Sequence, residues 1–228
     1  MVGPCGPGGT PDPVNETGIR FPNRRAAGRS LATALAHHRG ATATVVLGLA
    51  RGGVPVGFEV AAALGLPFDA FLVRKLGLPH WPELAMGALA TGGAVVRNAD
   101  LIRSQAITED QLQEVIEAER VELRRREAAY GVQQAPDLAG RTVILVDDGI
   151  ATGASMLAAV RAVRAAGAAA VVVAVPVASR TACHLIDDEV DELICVDAPP
   201  DFRAVGQAYD DFTQTSDDEV RALLAGHR

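Results

Sequence analysis

The feature that most constrains the fold is the segment VILVDDGIATGAS, which covers residues 143–155. Its first four residues are aliphatic and favour a strand that is buried on both faces. Asp147 and Asp148 follow at the end of this strand, and small residues then lead into a predicted helix. Because open α/β sheets bind ligands outside the carboxyl ends of their strands, we expect a binding site at this turn.

The residue types in this turn suit a phosphorylated sugar. Backbone N–H groups, together with the hydroxyls of Thr152 and Ser155, can surround a phosphate at the N-terminus of the helix. The carboxylates of Asp147 and Asp148 would repel a phosphate, but they can accept hydrogen bonds from sugar hydroxyls or lie near a magnesium ion. A phosphate cradle beside two hydroxyl acceptors predicts a ribose 5-phosphate site.

Alternating strands and helices along the chain predict an α/β fold, with a parallel twisted sheet flanked by helices. Thr108 and Gln111 are spaced as a capping box for a long charged helix. Residues 77–93 are predicted to form a mobile loop or hairpin. The predicted strands cover residues 43–49, 68–73, 143–146, 170–177 and 193–196, and the predicted helices include residues 24–38, 55–65 and 154–166.

The composition of the chain indicates its domain organisation and limits the partners that it can bind. Residues 1–18 are rich in Gly and Pro and are predicted to be a flexible tail, followed by one domain over 19–228 with a helical insertion at about 100–131. The net charge of −7 argues against general nucleic-acid binding. The chain shows no apolar run of membrane-spanning length and no signal peptide, and its three cysteines lack metal-type spacing, so a cytoplasmic protein is expected.

A second glycine-containing turn, ARGG at 50–53, also follows a predicted strand. Glycines allow backbone N–H groups to approach an anion closely, and Arg51 adds charge and donors. Arg74 and Lys75 form a basic pair after the next predicted strand. The adjacent His37 and His38 end the first predicted helix and are expected to be solvated.

The segment at 143–155 resembles the phosphoribosyl pyrophosphate (PRPP) signature of type I phosphoribosyltransferases. That signature has four aliphatic residues, two acids, three variable residues, and then Thr-Gly-x-Ser/Thr. The resemblance implies that Asp147 and Asp148 hold the ribose 2- and 3-hydroxyls. It implies a PRPP-binding loop formed by Gly149, Ile150, Ala151, Thr152, Gly153, Ala154 and Ser155, with the 5-phosphate held by Ile150 through Ser155.

The ARGG turn resembles the pyrophosphate loop of the same family, in which a non-proline cis peptide is frequent. The resemblance implies that pyrophosphate is bound by Ala50, Arg51, Gly52, Gly53, Arg74 and Lys75. Arg51 and Lys75 are the predicted catalytic residues.

Residues 200–210, PDFRAVGQAYD, resemble the hood that covers the base in 6-oxopurine phosphoribosyltransferases. The hood elements are expected at about 197–212. Phe202 and Tyr209 are the predicted base contacts, and Asp210 is the predicted metal contact. An amphipathic terminal strand is an alternative interpretation of this segment. Ala151 stands where 6-oxopurine enzymes usually have an Asp, which counts against hypoxanthine or guanine as the acceptor.

The resemblance implies transfer of the phosphoribosyl group from magnesium-bound PRPP to a nitrogen acceptor of the nucleobase class, with release of pyrophosphate. It also implies a homodimer. A PRPP-sensing regulator that binds the same ligand without turnover is the alternative. A receiver-type domain also has paired acids after a strand, but it has them after its first strand, whereas most of this chain precedes Asp147.

Overall fold

A computed structural model describes residues 18–132 and 136–227, apart from the side chain of Glu83. The described helices are α1 (Arg24–Ala34), α2 (Gly53–Leu64), α3 (Ala99–Ser104), α4 (Glu109–Tyr130), α5 (Ala154–Ala165), α6 (Arg180–Asp187) and α7 (Asp217–Ala225). The strands are β1 (Thr44–Leu49), β2 (Phe68–Phe71), β3 (Val73–Leu78), β4 (Trp81–Ala90), β5 (Val95–Arg97), β6 (Thr142–Val146), β7 (Ala170–Val177) and β8 (Glu192–Asp197).

The main sheet is parallel, in the order β2-β1-β6-β7-β8. The central strand, β6, pairs with β1, and in this pairing Ile144 lies opposite Val46 and Leu145 lies opposite Leu47. The predicted fold class, a parallel sheet flanked by helices, is confirmed.

Side chains of β6 alternate between the two faces of this sheet, as strand geometry requires. Ile144 and Val146 pack with residues of α1 and α2, whereas Val143 and Leu145 pack with residues of α5. Both faces are therefore apolar, which explains why this strand appears in the sequence as an unbroken aliphatic run.

A second, antiparallel sheet in the order β3-β4-β5 differs from the prediction of one strand over 68–73. β2 ends at Phe71, and the chain passes into β3 at Leu72. There the buried Thr91 hydroxyl accepts the N–H of Leu72 at 2.9 Å, so this backbone donor remains paired where the strands separate. Arg74 and Lys75 consequently lie within β3 and not after a strand. The hairpin alternative predicted for 77–93 describes β3 and β4.

Several helix ends follow from local sequence. Thr108 and Gln111 form the predicted capping box at the start of α4. α2 ends where Gly65 takes a left-handed conformation with φ of 67°. α1 ends at Ala34, earlier than predicted, and a 3-10 turn covers Ala36–His38.

The predicted tail lies outside the described residues except for Gly18, and the division of the chain at residue 18 stays a prediction. The predicted helical insertion contains α3 and α4. Among the helices of the described segments, none combines the length and apolar character that a membrane crossing requires.

Candidate active site

Two loops meet at the carboxyl edge of the parallel sheet because β1 and β6 are adjacent. A Cβ atom added to Gly52 would lie 2.1 Å from Oδ2 of Asp148, and one added to Gly53 would lie 2.4 Å from the carbonyl oxygen of Val146. Glycine is therefore required at Gly53, where the clash is with backbone, and at Gly52 it allows the close approach to the Asp148 carboxylate. The peptide bond between Ala50 and Arg51 is cis, as the resemblance to the pyrophosphate loop implied.

The two acids at the end of β6 differ in their electrostatic environment. Burial, followed by the charge of Asp148, raises the pKa of Asp147 well above its ordinary value, despite the opposing effect of the Asp148 N–H. That N–H donates to Oδ1 of Asp147 at 2.8 Å. Burial also raises the pKa of Asp148, although a hydrogen bond and the charge of Arg24 oppose the increase.

Arg24, at the start of α1, is the partner of Asp148, and the sequence did not identify it. Its Nε lies 2.7 Å from Oδ2 of Asp148, and the two side chains are only 11% and 13% exposed. Its Nη1 donates to the carbonyl oxygen of Thr213 at 2.7 Å, and its Cζ lies 4.0 Å from the ring centroid of Phe212. This arginine thus connects the acid pair to the end of the predicted hood, at Phe212, and to Thr213 directly after it.

The predicted phosphate loop leads from Asp148 into α5. Ile150 is fixed by a short bridge to β7, with its N–H donating to the carbonyl oxygen of Val177 at 3.0 Å. Gly153 precedes α5 with φ of 82°, a left-handed conformation that glycine adopts without strain. Ala151, Thr152 and Ser155 are exposed at the start of the helix. Two hydroxyls and the first turn of a helix are therefore accessible to an anion.

The predicted hood contains a 3-10 turn, Val205–Ala208, that lies beside the phosphate loop. A Cβ added to Gly149 would lie 2.5 Å from Cγ1 of Val205, so loop and hood are in close contact. Tyr209 is buried, and its hydroxyl donates to the carbonyl oxygen of Asp148 at 2.6 Å. Phe202 is partly exposed and packs against the apolar cluster that contains Tyr209 and Ala208. Their contact with a base stays a prediction.

The basic candidates occupy three different settings. Nη1 of Arg51 lies 3.4 Å from Oδ1 of Asp217, the first residue of α7. Nε of Arg74 lies 2.6 Å from Oε2 of Glu119 in α4, so this side chain is directed toward the helical insertion. Lys75 is partly buried in β3, opposite Ala88. Their roles toward pyrophosphate stay predictions.

The last predicted site residue is Asp210, and the structure adds one residue that was not predicted, Asp217. Asp210 forms an exposed ion pair with Arg20, with Nη2 and Oδ1 2.7 Å apart. Asp217 and the helix α7 were missed by the sequence analysis. The signal for α7 was present, because Ser216 caps the helix and three acids, Asp217, Asp218 and Glu219, occupy its first turn.

Replacing Tyr209 by Phe is expected to lower the free energy of unfolding by about 1–3 kcal/mol, because the carbonyl of Asp148 loses a buried donor. Urea unfolding of the two proteins measures the difference. An unchanged midpoint with an unchanged denaturant dependence would contradict this role for the hydroxyl.

Comparison with known proteins places the chain in a protein family. A family model described as "Phosphoribosyl transferase domain" matches residues 20–213. A curated relative named "Putative phosphoribosyl transferase Rv0571c", from Mycobacterium tuberculosis (strain ATCC 25618 / H37Rv), is 47% identical over 206 residues. The match covers 90% of this chain and 46% of the relative, so the chain spans about half the length of that protein.

A solved structure shares the fold of this chain. The crystal structure of TT1426 from Thermus thermophilus superposes with a TM-score of 0.84 at 44% sequence identity. The superposition covers 92% of this chain and 99% of that one.

Proposed function

The chain belongs to the phosphoribosyl transferase domain family, and on that premise we propose that it transfers the 5-phosphoribosyl group of PRPP to a nitrogen acceptor of the nucleobase class. Pyrophosphate is the second product. The observation that carries the proposal is the contact between the ARGG turn and the acid pair, with Gly52 directly against Asp148. One edge of the sheet thus offers hydroxyl acceptors, a phosphate loop and a cation together.

Each part of PRPP has complementary groups at this edge. The 5-phosphate would be bound by Thr152, Ser155 and the first turn of α5, where the helix dipole favours an anion. The ribose hydroxyls would donate to Asp147 and Asp148. Hydrogen bonds to the ribose would then replace the contact between Asp148 and Arg24, which holds the carboxylate in the unliganded protein.

The reaction breaks the bond between the anomeric carbon and pyrophosphate and forms a bond from that carbon to nitrogen. Positive charge develops on the sugar and negative charge on the leaving group. Arg51 and Lys75 would stabilise the leaving group, which is electrostatic catalysis by groups held in place before reaction. Asp147 and Asp148 would fix the ribose by its hydroxyls and so orient the anomeric carbon.

Magnesium is part of this proposal. The candidate side chains at this edge, including Asp210, offer carboxylate oxygens, which are the donors that a hard cation prefers. When bound with PRPP, the ion would neutralise charge on the pyrophosphate oxygens. We also propose that the protein acts as a homodimer in the cytoplasm.

Incubating the protein with PRPP, magnesium and a panel of bases, and measuring pyrophosphate release, tests the proposal. Release is expected with at least one base and not in reactions without a base. PRPP at ~100 times its dissociation constant is expected to stabilise the fold by ~2.7 kcal/mol. Calorimetry that detects no PRPP binding at millimolar ligand would refute the proposed substrate. If PRPP binds but no base in the panel leads to release of pyrophosphate, the PRPP-sensing alternative is favoured.

A further inference from the structure

A cluster of two histidines and a glutamate lies away from the candidate active site. His37 and His38 belong to the 3-10 turn after α1, and Glu192 is the first residue of β8. Because the strands of the main sheet are parallel, the start of β8 lies at the amino ends of the strands. The loops that follow β1 and β6 lie at the opposite, carboxyl ends. The proposed PRPP site therefore does not account for this cluster.

Both imidazoles direct the same ring nitrogen at one carboxylate. Nε2 of His37 lies 3.0 Å from Oε1 of Glu192, and Nε2 of His38 lies 2.9 Å from Oε2. Nε2 of His37 is also 3.3 Å from Oε2, so this oxygen is close to both rings. One nitrogen of each ring and one carboxylate oxygen lie within 4.8 Å of one another. The three side chains thus converge on one point.

The setting is neither fully solvated nor fully buried. The side chain of His38 is 16% exposed and that of Glu192 is 34% exposed, while His37 is 54% exposed. The expectation that both histidines are solvated is therefore wrong for His38. Burial raises the pKa of Glu192, but hydrogen bonds from His38 and His37 outweigh it and hold that pKa below its ordinary value. The glutamate is thus a carboxylate at neutral pH, with solvent access on the His37 side.

We propose that His37, His38 and Glu192 form a binding site for a divalent transition metal of the zinc type, separate from the magnesium expected with PRPP. Two imidazoles and one carboxylate are a donor set that zinc uses, with water as the fourth ligand. Imidazole nitrogen favours such a metal over magnesium. The exposed side of His37 gives the ion an entry path and provides space for the water.

The observed distances are close to those of a coordinated ion. Tetrahedral coordination with bonds of about 2.0–2.2 Å separates ligand atoms by roughly 3.3–3.5 Å. The distances from Oε2 of Glu192 to Nε2 of His37 and of His38, 3.3 and 2.9 Å, need to change by no more than a few tenths of an ångström. A bound ion would take the place of the protons that now connect the rings to the carboxylate, and it would link the end of α1 to the edge strand of the sheet.

Cobalt(II) titration of the protein, without any added polyhistidine segment, tests the site. A 1:1 complex with the visible absorption bands of four-coordinate cobalt is expected, and zinc is expected to displace the cobalt. Replacing Glu192 by Gln or His38 by Gln is expected to weaken binding on the order of 100-fold or more, because a direct ligand is lost and even the loss of a group that only supports a ligand costs ~10–100-fold. Both substitutions retain polar side chains that can hydrogen-bond, so the fold is expected to persist.

His184→Gln is the matched control, because it removes an exposed imidazole on α6 without touching the cluster. Its cobalt affinity is expected to equal that of the unmodified protein. Absence of the visible bands in the unmodified protein would overturn the proposal, and so would unchanged affinity in both the Glu192→Gln and His38→Gln proteins. PRPP binding by the same variants is expected to be unaffected, which separates this test from that of the active site.

Discussion

Replacing Asp147 by Asn is expected to weaken PRPP binding by about 10- to 100-fold, because a hydrogen bond to a charged acceptor contributes about 1.5–3 kcal/mol. The same substitution is expected to stabilise the unliganded protein. The two effects have opposite signs because the carboxylate is held, without ligand, in an environment that disfavours its charge. Asn keeps the oxygen that accepts the Asp148 N–H at 2.8 Å and removes the charge.

The pH dependence of this effect has a defined sign. Burial raises the folded-state pKa of Asp147, so the folded protein binds a proton there more tightly than the unfolded chain does. Stability is then lost as the pH rises from the unfolded pKa through the folded pKa. The Asn variant lacks this titration. Its stability advantage is therefore expected to be larger at pH 8 than at pH 4.

Urea unfolding at the two pH values, together with PRPP calorimetry, measures both effects. Asp148→Asn is the matched control, because it leaves the largely buried Arg24 without its carboxylate partner. That variant also removes a charge that burial disfavours, but it leaves Arg24 unpaired, so it is expected to be less stable than Asp147→Asn. The interpretation fails if Asp147→Asn is less stable than the unmodified protein at both pH values, or if it binds PRPP with unchanged affinity.

The parts of the fold that the sequence predicted are those with local signals. The strand β6 has aliphatic side chains on both faces, so four adjacent residues indicate it without knowledge of their partners. The capping box of α4 and the end of α2 at Gly65 each depend on residues a few positions apart. Signals of this kind located the sheet and the loop that follows β6.

The parts that were missed depend on contacts between distant residues. Arg24 and Asp148 are 124 positions apart, and nothing near Arg24 in the sequence distinguishes it from the adjacent Arg25. Where β2 separates from β3, the N–H of Leu72 is paired with the buried hydroxyl of Thr91, 19 positions further along the chain. Such pairings are specified by tertiary packing, so periodicity and turn residues do not reveal them.

Replacing Arg51 by Ala is expected to lower turnover on the order of 10²-fold or more, and to lower PRPP affinity by a smaller factor. An enzyme benefits from contacts that strengthen as charge builds on the leaving group, because only differential stabilisation speeds the reaction. Removing one charge-stabilising donor typically costs ~10²–10³ in rate. Lys75→Ala is expected to act in the same direction. Steady-state rates with an accepted base, and PRPP dissociation constants, measure the two quantities.

Asp217→Asn separates this role from a structural one. Asp217 is the partner of Arg51 at 3.4 Å, across a contact that is partly exposed to solvent. If Arg51 acts only by holding α7 in place, losing either partner should have the same effect on turnover. If Arg51 acts on pyrophosphate, Asp217→Asn should leave turnover near that of the unmodified protein, because the guanidinium remains.

The ratio of the two losses in the Arg51 variant distinguishes an enzyme from a sensor. A sensor needs affinity for PRPP as it is before reaction, so removing a pyrophosphate contact should reduce binding and response by the same factor. An equal loss of kcat/KM and of PRPP affinity, with turnover unchanged, would mean that Arg51 binds the substrate without favouring the transition state. A loss of kcat/KM that exceeds the loss of PRPP affinity, and therefore a fall in turnover, would show that Arg51 acts on the departing pyrophosphate, which a protein that only senses PRPP does not require.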